Sequence, residues 1–162
     1  MANGEPQGAT TAGVAVGMLV EPVDAANAAL LAAATAFAAP SGLTPARWRV
    51  LSAVRDEPRT VPEVAARVRM GHTRQAVQRI ADALCADGFA TFEPNPRHRR
   101  SQLLRATSRG MDALDEVIAR QVAWSNAVGA ELDVDDLERA ARVLRALAAS
   151  SERIVAATQP RA

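Results

Sequence analysis

The fold of this chain is decided between Thr60 and Gly110, where the sequence reads TVPEVAARVRMGHTRQAVQRIADALCADGFATFEPNPRHRRSQLLRATSRG. The stretch begins with Thr60-Val-Pro-Glu63, which matches a capping box. In that motif the threonine hydroxyl accepts from the Glu63 N–H, and the Glu63 carboxylate accepts from the Thr60 N–H. The motif predicts a short helix that begins here and runs to about Met70.

A second helix follows after a tight turn at Gly71, and Thr73 is its predicted N-cap. Apolar residues recur at i, i+3, i+4 and i+7, and they predict one buried face made of Val77, Ile80, Ala81 and Leu84. The opposite face is polar and carries Arg74, Gln75, Gln78, Arg79 and Asp82. Two short helices joined by a tight turn are typical of a helix-turn-helix.

A basic hairpin completes the stretch. Gly88 ends the second helix, one strand is predicted over residues 89–93, and a second over residues 101–106. The turn between them reads PNPRHRR and contains Arg97, Arg99 and Arg100. Three arginines so close together repel one another, so the turn favours an anionic partner over a merely solvated loop. A polar helix face beside a basic hairpin is the arrangement of a winged helix-turn-helix that binds duplex DNA.

The distribution of charge supports the same interpretation. The formal net charge of the 162 residues is only +1, but residues 43–110 contain thirteen arginines and six acidic residues, a local net charge of +7. Residues 1–42 and residues 111–162 each carry a net charge of −3. Phosphate contacts need local positive potential and not a high total charge. A basic middle between acidic ends is therefore expected of a DNA-binding lobe on a non-binding framework.

Helices are predicted on both sides of this lobe. The first covers residues 20–39, and the second begins after a cap at Thr44 and ends near Asp56. The third begins after a cap at Thr107 and ends at Gly129, and the fourth begins at Asp133. The terminal helices carry long apolar stripes that have no equal partner within so small a chain, so a second subunit is expected to cover them. The sequence therefore predicts a homodimer of a mainly α protein with a small β wing.

The predicted organisation has five parts. They are a mobile N-terminal tail over residues 1–19, an N-terminal dimerisation helix over 20–42, a DNA-binding lobe over 43–110, C-terminal dimerisation helices over 111–158, and a tail over 159–162. No uninterrupted apolar run reaches the roughly 18 residues that a membrane span needs, so a cytoplasmic protein without a membrane partner is expected.

Several kinds of chemistry are not expected. Cys85 is the single cysteine, which excludes an intrachain disulfide and a multi-cysteine zinc site. His72 and His98 have no metal-ligand spacing with Cys85, and no Gly-rich phosphate loop follows a strand. We therefore expect neither an enzyme nor a metal or cofactor site.

Five fragments together resemble the MarR family of bacterial transcription regulators. They are Leu43-Thr-Pro-Ala-Arg-Trp-Arg-Val-Leu51, Val64-Ala-Ala-Arg-Val68, Thr73-Arg-Gln-Ala-Val-Gln-Arg79, Leu84 with Gly88, and Asn95-Pro-Arg-His-Arg-Arg100 leading to Ala106-Thr-Ser-Arg-Gly110. The resemblance covers residues 43 to 114 in motif detail. It implies a dimer in which the helix from Thr73 to about Asp87 enters the major groove and Arg100 enters the minor groove.

The residue types suit these roles. Gln75 and Gln78 can offer a donor and an acceptor together to adenine edges, and Arg74 and Arg79 can bind guanine or phosphate. Thr73 can donate to a phosphate beside the helix N-terminus. The wing would contribute Arg97, His98, Arg99 and Arg100, although relatives usually carry Asp at the position of His98. The alternative for the helix is a polar face that only meets solvent.

The sequence leaves alternatives open for how DNA binding is regulated and for the function itself. The resemblance implies a small aromatic effector in a crevice beside the lobe, with Phe37, Trp48 and Trp124 as candidate contacts, and plain core packing is the alternative for all three. Cys85 is interpreted as a small half-buried residue, with a thiol-responsive switch as the alternative. The expected function is repression at an inverted-repeat operator of double-stranded DNA. The alternative from another class is a dimerisation and protein-interaction module without specific DNA binding.

Overall fold

A computed structural model describes residues 8–68, 73–98 and 100–158 of the chain. Within these ranges the elements are α1 (Thr11–Met18), α2 (Val20–Ala38), a 3-10 turn (Ala39–Ser41), α3 (Pro45–Ser52), α4 (Val61–Arg67), α5 (Arg74–Ala86), β1 (Ala90–Pro94), β2 (Gln102–Ala106), α6 (Ser108–Gly129) and α7 (Val134–Thr158). The mainly α fold with a small β wing is confirmed. The predicted turn at Gly71 and the predicted helix end at Met70 lie outside the described residues, as do His72 and Arg99.

The chain divides into two compact units, Met1–Arg120 and Gln121–Ala162. In the first unit, α5 packs against α3, α4 and β1, and α4 also contacts β2. The core of this unit is mainly aliphatic, and its largest fully buried side chains are Val50, Leu51, Val54, Val64, Val77, Leu84, Leu104, Leu114 and Val117. This core fixes α5 and the hairpin on one framework.

Side-chain caps begin α3, α4, α5 and α6 where the sequence predicts them. The hydroxyls of Thr44, Thr60, Thr73 and Thr107 accept from backbone N–H groups three residues further on, at 3.3, 3.5, 3.2 and 3.1 Å. The capping box is complete, because the Glu63 carboxylate accepts from the Thr60 N–H at 2.8 Å. The predicted extension of α3 to Asp56 is wrong. The Ala53 carbonyl accepts instead from Arg59 Nε at 2.9 Å, and the chain turns there.

We expect Thr60→Ala to lower the free energy of unfolding by about 1 kcal/mol, because the substitution leaves an N-terminal N–H of α4 without its side-chain acceptor. Hydrogen bonds from the hydroxyl and the N–H of Thr60 also lower the pKa of Glu63. A carboxyl whose pKa is lower in the folded than in the unfolded state contributes stability at neutral pH, and this contribution disappears as the pH falls through the folded-state pKa. Urea denaturation from pH 6 to pH 3 measures both effects.

Glu63→Gln should therefore lose less stability on acidification than the wild type does. Thr35→Ala is the matched control, because the Thr35 hydroxyl is exposed and, among the described residues, donates only to the Leu31 carbonyl within α2. An equal loss of stability in Thr35→Ala and Thr60→Ala would contradict the proposed importance of the cap.

The two strands form an antiparallel hairpin in which Phe92 pairs with Leu104 and Ala90 pairs with Ala106. A further bridge adds Arg59, whose N–H donates to the Leu104 carbonyl at 3.1 Å while the Leu104 N–H donates back at 2.8 Å. The wing is thus bonded to the segment that precedes α4. Sequence reasoning missed this bridge.

The N-terminal region differs from the expectation of a tail without structure over residues 1–19. The helix α1 begins at an N-cap, since the Thr10 hydroxyl accepts from the Gly13 N–H at 3.0 Å. The helical region Thr11–Ser41 contains an 18-residue window with a mean hydropathy of 1.5 and is long and apolar enough to cross a membrane by length and composition alone. Its exposed apolar side chains are Val16, Met18, Val20, Val23, Leu30 and Leu31. The same composition suits a helix that a second polypeptide covers.

The second unit contains the end of α6 and all of α7. The predicted break and restart are confirmed, because α6 ends at Gly129 and Asp133 Oδ1 caps α7 by accepting from the N–H groups of Asp135 and Asp136 at 2.9 and 3.1 Å. The helix α7 has no buried residue within the chain. The exposed apolar side chains of this unit are Val122, Val128, Leu132, Val134, Leu137, Val143, Leu144, Ile154 and Val155.

Candidate nucleic-acid interface

The predicted polar face of α5 is exposed. Val77, Ala81 and Leu84 are fully buried, and Ile80 is half-buried. The predicted contact residues on the other side of the helix are all exposed, namely Thr73, Arg74, Gln75, Gln78 and Arg79. The helix therefore exposes amides and guanidinium groups on one side while its apolar side holds it in the core.

The C-terminal end of α5 is held by two arginines from neighbouring helices. Arg47 on α3 forms an ion pair with Asp87 at 2.7 Å, and Arg109 on α6 donates to the Asp87 carbonyl at 2.9 Å. The Arg109 guanidinium also lies 4.6 Å from the centre of the Phe89 ring. Cations at the C-terminal end of a helix are favourable because carbonyl groups point outward there. These contacts, which sequence reasoning did not find, fix the direction of α5.

The turn of the wing is shaped by Asn95 and Ser101. Asn95 Oδ1 accepts from the Arg97 N–H at 2.9 Å, and Asn95 Nδ2 donates to Ser101 Oγ at 3.0 Å. The Ser101 N–H donates to the His98 carbonyl at 3.0 Å. Arg97, His98 and Arg100 are exposed as predicted.

The strands below the turn are joined by a two-bond ion pair. Arg105 on β2 donates to both carboxylate oxygens of Glu93 on β1, at 2.7 and 3.1 Å. These hydrogen bonds lower the pKa of Glu93 and raise that of Arg105. The charge of Arg105 is therefore balanced within the wing.

The arginines of the lobe fall into two groups. Those that tie the lobe together have protein partners: Arg47, Arg55, Arg59 and Arg105 form ion pairs with carboxylates, and Arg109 binds a carbonyl and a ring. In the described part of the chain, Arg74 and Arg79 on α5 and Arg97 and Arg100 in the wing have no ion pair within 4.0 Å. Arg49 and Arg67 share this property.

This division has an electrostatic consequence. Four of the arginines without an ion pair in the described residues lie on the exposed face of α5 and at the turn of the wing, the two elements of a winged helix that contact DNA. Arg67, exposed at the end of α4, is a further cation that the sequence-based site did not include.

The comparisons with known proteins decide the family. A sequence model of the MarR family matches residues 41–101. The uncharacterized protein Rv2011c of Mycobacterium tuberculosis is 40% identical over 108 residues, which are 67% of this chain and 74% of that protein. The chain belongs to the MarR family.

Solved structures agree with this assignment. The crystal structure of a MarR family transcription regulator has a TM-score of 0.76 at 22% identity, and the match covers 86% of this chain and 94% of that one. The transcriptional repressor CouR, bound to a 23-mer DNA duplex, has a TM-score of 0.69 at 25% identity and coverages of 87% and 99%. CouR from Rhodococcus jostii RHA1 bound to p-coumaroyl-CoA has a TM-score of 0.66 at 23% identity and coverages of 82% and 91%. The chain therefore has the winged-helix fold of MarR family regulators.

The predicted effector residues of this MarR family protein are divided between the two compact units. Phe37 on α2 is buried and Trp48 on α3 is half-buried, both in the first unit, whereas Trp124 is half-buried in the second. A cleft of ≈ 380 Å³ in the first unit is lined by other residues: Pro40, Ser41, Gly42, Phe89, Arg109, Asp112, Ala113 and Glu116. The effector contacts stay a prediction.

Cys85 lies half-buried near the end of α5. Burial of the thiol raises its pKa, and the nearby Asp82 carboxylate raises it further. A raised pKa keeps the thiol protonated, and the protonated form is a poor nucleophile. These surroundings favour the interpretation of Cys85 as a packing residue over a thiol-responsive switch. Within residues 8–68, 73–98 and 100–158, no group of three His, Cys, Asp or Glu side chains could hold a metal ion.

Proposed function

We propose that this MarR family protein is a homodimeric, cytoplasmic repressor that binds an inverted-repeat operator in double-stranded DNA. The observation that carries the proposal is the division of the lobe arginines into those with protein partners, which hold the lobe together, and those without ion pairs. In the described residues, four exposed arginines without an ion pair lie on α5 and in the turn of the wing, namely Arg74, Arg79, Arg97 and Arg100, and Arg49 and Arg67 lie on α3 and α4. Like charges exposed together favour a polyanion such as the DNA backbone.

The apolar surface at both ends of the chain supports the proposed dimer. The helix α2 exposes Leu30 and Leu31, and α7 exposes Leu137 and Leu144 without burying any residue within the chain. A two-fold symmetric dimer would cover such stripes and would present two copies of α5 to DNA. We therefore expect two half-sites whose centres are about one helical turn, or 34–36 Å, apart.

Each protomer would read DNA with two elements. The helix α5 would lie in the major groove, where Gln75 and Gln78 meet base edges and Arg74 and Arg79 bind guanine or phosphate. Thr73 would donate to a phosphate at the N-terminus of the same helix. The wing would place Arg100 in the minor groove, with Arg97, His98 and Arg99 beside the backbone.

A small aromatic effector that relieves repression is the second part of the proposal. A repressor named CouR has been solved with a DNA duplex, and CouR from Rhodococcus jostii RHA1 has been solved with p-coumaroyl-CoA, which supports the proposal that a protein of this fold takes both kinds of ligand. For this chain we propose Phe37, Trp48 and Trp124 as the contacts. A shift of tryptophan fluorescence on titration with aromatic carboxylates would support this part, and an unchanged spectrum would count against it.

Selection of bound sequences from a random DNA pool tests the main proposal. We expect enrichment of an inverted repeat, a gel shift of that sequence that weakens steeply with salt, and a dimer by analytical ultracentrifugation. A dimer that retains no DNA at low salt would instead be a protein-interaction module.

Substitution of the two glutamines should relax base preference. We expect Gln75→Ala or Gln78→Ala to reduce discrimination at particular base pairs by about 1–3 kcal/mol each, because each removes a side chain that can pair with an adenine edge. Affinity for unrelated DNA should change little, since no charge is lost. Binding measurements on single-base operator variants check this result, and equal losses on all sequences would contradict the assigned roles.

A further inference from the structure

Asp82 is an acidic side chain on the face of α5 that is otherwise neutral or basic. It is exposed, and in the described part of the chain it has no ion pair within 4.0 Å. An unbalanced carboxylate on a surface that meets phosphates weakens binding through repulsion. The presence of this acid therefore needs an explanation other than affinity.

Asp82 bonds directly to one of the proposed reading residues. Gln78 Nε2 donates to Asp82 Oδ1 at 2.8 Å, and the two residues lie one helical turn apart on the same face. A free glutamine can turn its amide over and exchange the positions of its oxygen and nitrogen. The carboxylate, which only accepts hydrogen bonds, holds the nitrogen of Gln78 on its own side.

The fixed amide has a defined set of remaining groups. With one N–H of Gln78 bound to Asp82, the amide oxygen and the second N–H remain for a partner. Adenine offers the complementary pair in the major groove, an N6 donor and an N7 acceptor. Guanine offers two acceptors, O6 and N7, which repel an amide oxygen held toward them.

We propose that Asp82 is a positioning residue for base recognition. It holds the Gln78 amide in the orientation that reads adenine, and its charge lowers the affinity for DNA of any sequence. Only the first effect increases the ratio of specific to non-specific binding, because the repulsion weakens both. The proposal rests on the proposed function, because it requires that α5 lies in the major groove.

The test compares base preferences among variants of the full-length protein. Sequences are selected with the wild type, Gln78→Ala, Asp82→Ala, Asp82→Asn and the double variant Gln78→Ala/Asp82→Ala. The base position at which Gln78→Ala loses its preference is the position that Gln78 reads. We expect Asp82→Ala to reduce the preference for adenine there by about five- to tenfold, and the double variant to lose no more than Gln78→Ala does.

Asp82→Asn tests whether the partner of Gln78 must be an acceptor only. The asparagine amide carries no charge and can either accept from the Gln78 nitrogen or donate to the Gln78 oxygen, so it does not hold the Gln78 amide in one orientation. This variant should therefore show a reduced adenine preference and bind non-specific DNA more tightly, as Asp82→Ala does. Asp56→Ala is the control for the loss of one negative charge, because Asp56 is exposed in the loop after α3. The base preference of the Asp56→Ala variant should equal that of the wild type.

Two results would overturn the proposal. One is an unchanged adenine preference in Asp82→Ala, and the other is an adenine preference that Asp82→Asn keeps in full. In both cases selective binding by the wild type would leave the proposed function intact. If the wild type selects no sequence at all, the proposed function itself fails. Thermal unfolding of each variant confirms that the lobe is folded.

Discussion

Gly110→Ala is expected to prevent stable folding of the DNA-binding lobe. Gly110 lies in the first turn of α6, and a Cβ atom there would be 2.0 Å from the Phe89 carbonyl oxygen and 3.0 Å from its carbonyl carbon. The same oxygen accepts from the Thr107 N–H at 3.1 Å, and the Thr107 hydroxyl donates to the Gly88 carbonyl at 2.7 Å. The contact is with backbone, so no side-chain rotation relieves it.

The expected size of this effect follows from what must move. Either α6 shifts away from the start of β1, which opens the core around Leu51 and Leu114, or the strand is displaced. Overpacking of a rigid site costs about 1–3 kcal/mol, and displacement of a buried helix adds the loss of core contacts, so a total of roughly 4 kcal/mol or more is expected. Urea denaturation at fixed protomer concentration measures it.

Gly129→Ala is the matched control within the same helix. A Cβ atom at Gly129 has nothing within 4 Å in the described chain, and alanine favours helix over glycine by up to about 1 kcal/mol. This variant should be as stable as the wild type or more so. A Gly110→Ala protein whose unfolding midpoint equals that of Gly129→Ala would show that α6 and Phe89 are less closely packed than the structure indicates.

The helix starts were predictable because they depend on residues within one turn. The caps at Thr44, Thr60, Thr73 and Thr107 each join groups three residues apart, so the sequence contains both partners. The end of α3 was not predictable in the same way, since the Arg59 side chain that binds the Ala53 carbonyl reaches back from the next segment. The helix α1 was overlooked, although Thr10 was available as its cap.

The candidate site also has features that depend on nearby residues, which were predictable, and features that depend on distant residues, which were not. The exposure of Arg74, Gln75 and Arg79 follows from helical periodicity once the buried face of α5 is known. The partners that decide which arginines are available for DNA come from distant segments, as with Arg47 and Asp87 or Arg55 and Asp115. Sequence position alone therefore indicates a basic lobe, whereas the separation into structural and available cations requires the fold.

Arg100→Ala is expected to weaken DNA binding on all sequences alike. Arg100 is exposed at the turn of the wing, has no ion pair in the described part of the chain, and would enter the minor groove, where sequence is read only coarsely. Loss of one such contact costs about 1–3 kcal/mol, so a dimer that loses two is expected to lose roughly 2–6 kcal/mol. The salt dependence should also become shallower, because each lost phosphate contact reduces the magnitude of the negative slope of log K against log salt by about one.

Gel shifts at several salt concentrations, with the selected operator and with unrelated DNA, measure both quantities. Arg55→Ala is the matched control: it removes the same charge, but Arg55 is paired with Asp115 at 2.6 Å and so contributes structure rather than free positive potential. Affinity and salt slope should change much less in this variant. Equal losses in Arg55→Ala and Arg100→Ala would mean that only the total charge of the lobe matters. A loss in Arg100→Ala confined to one base pair would mean that the wing reads sequence directly.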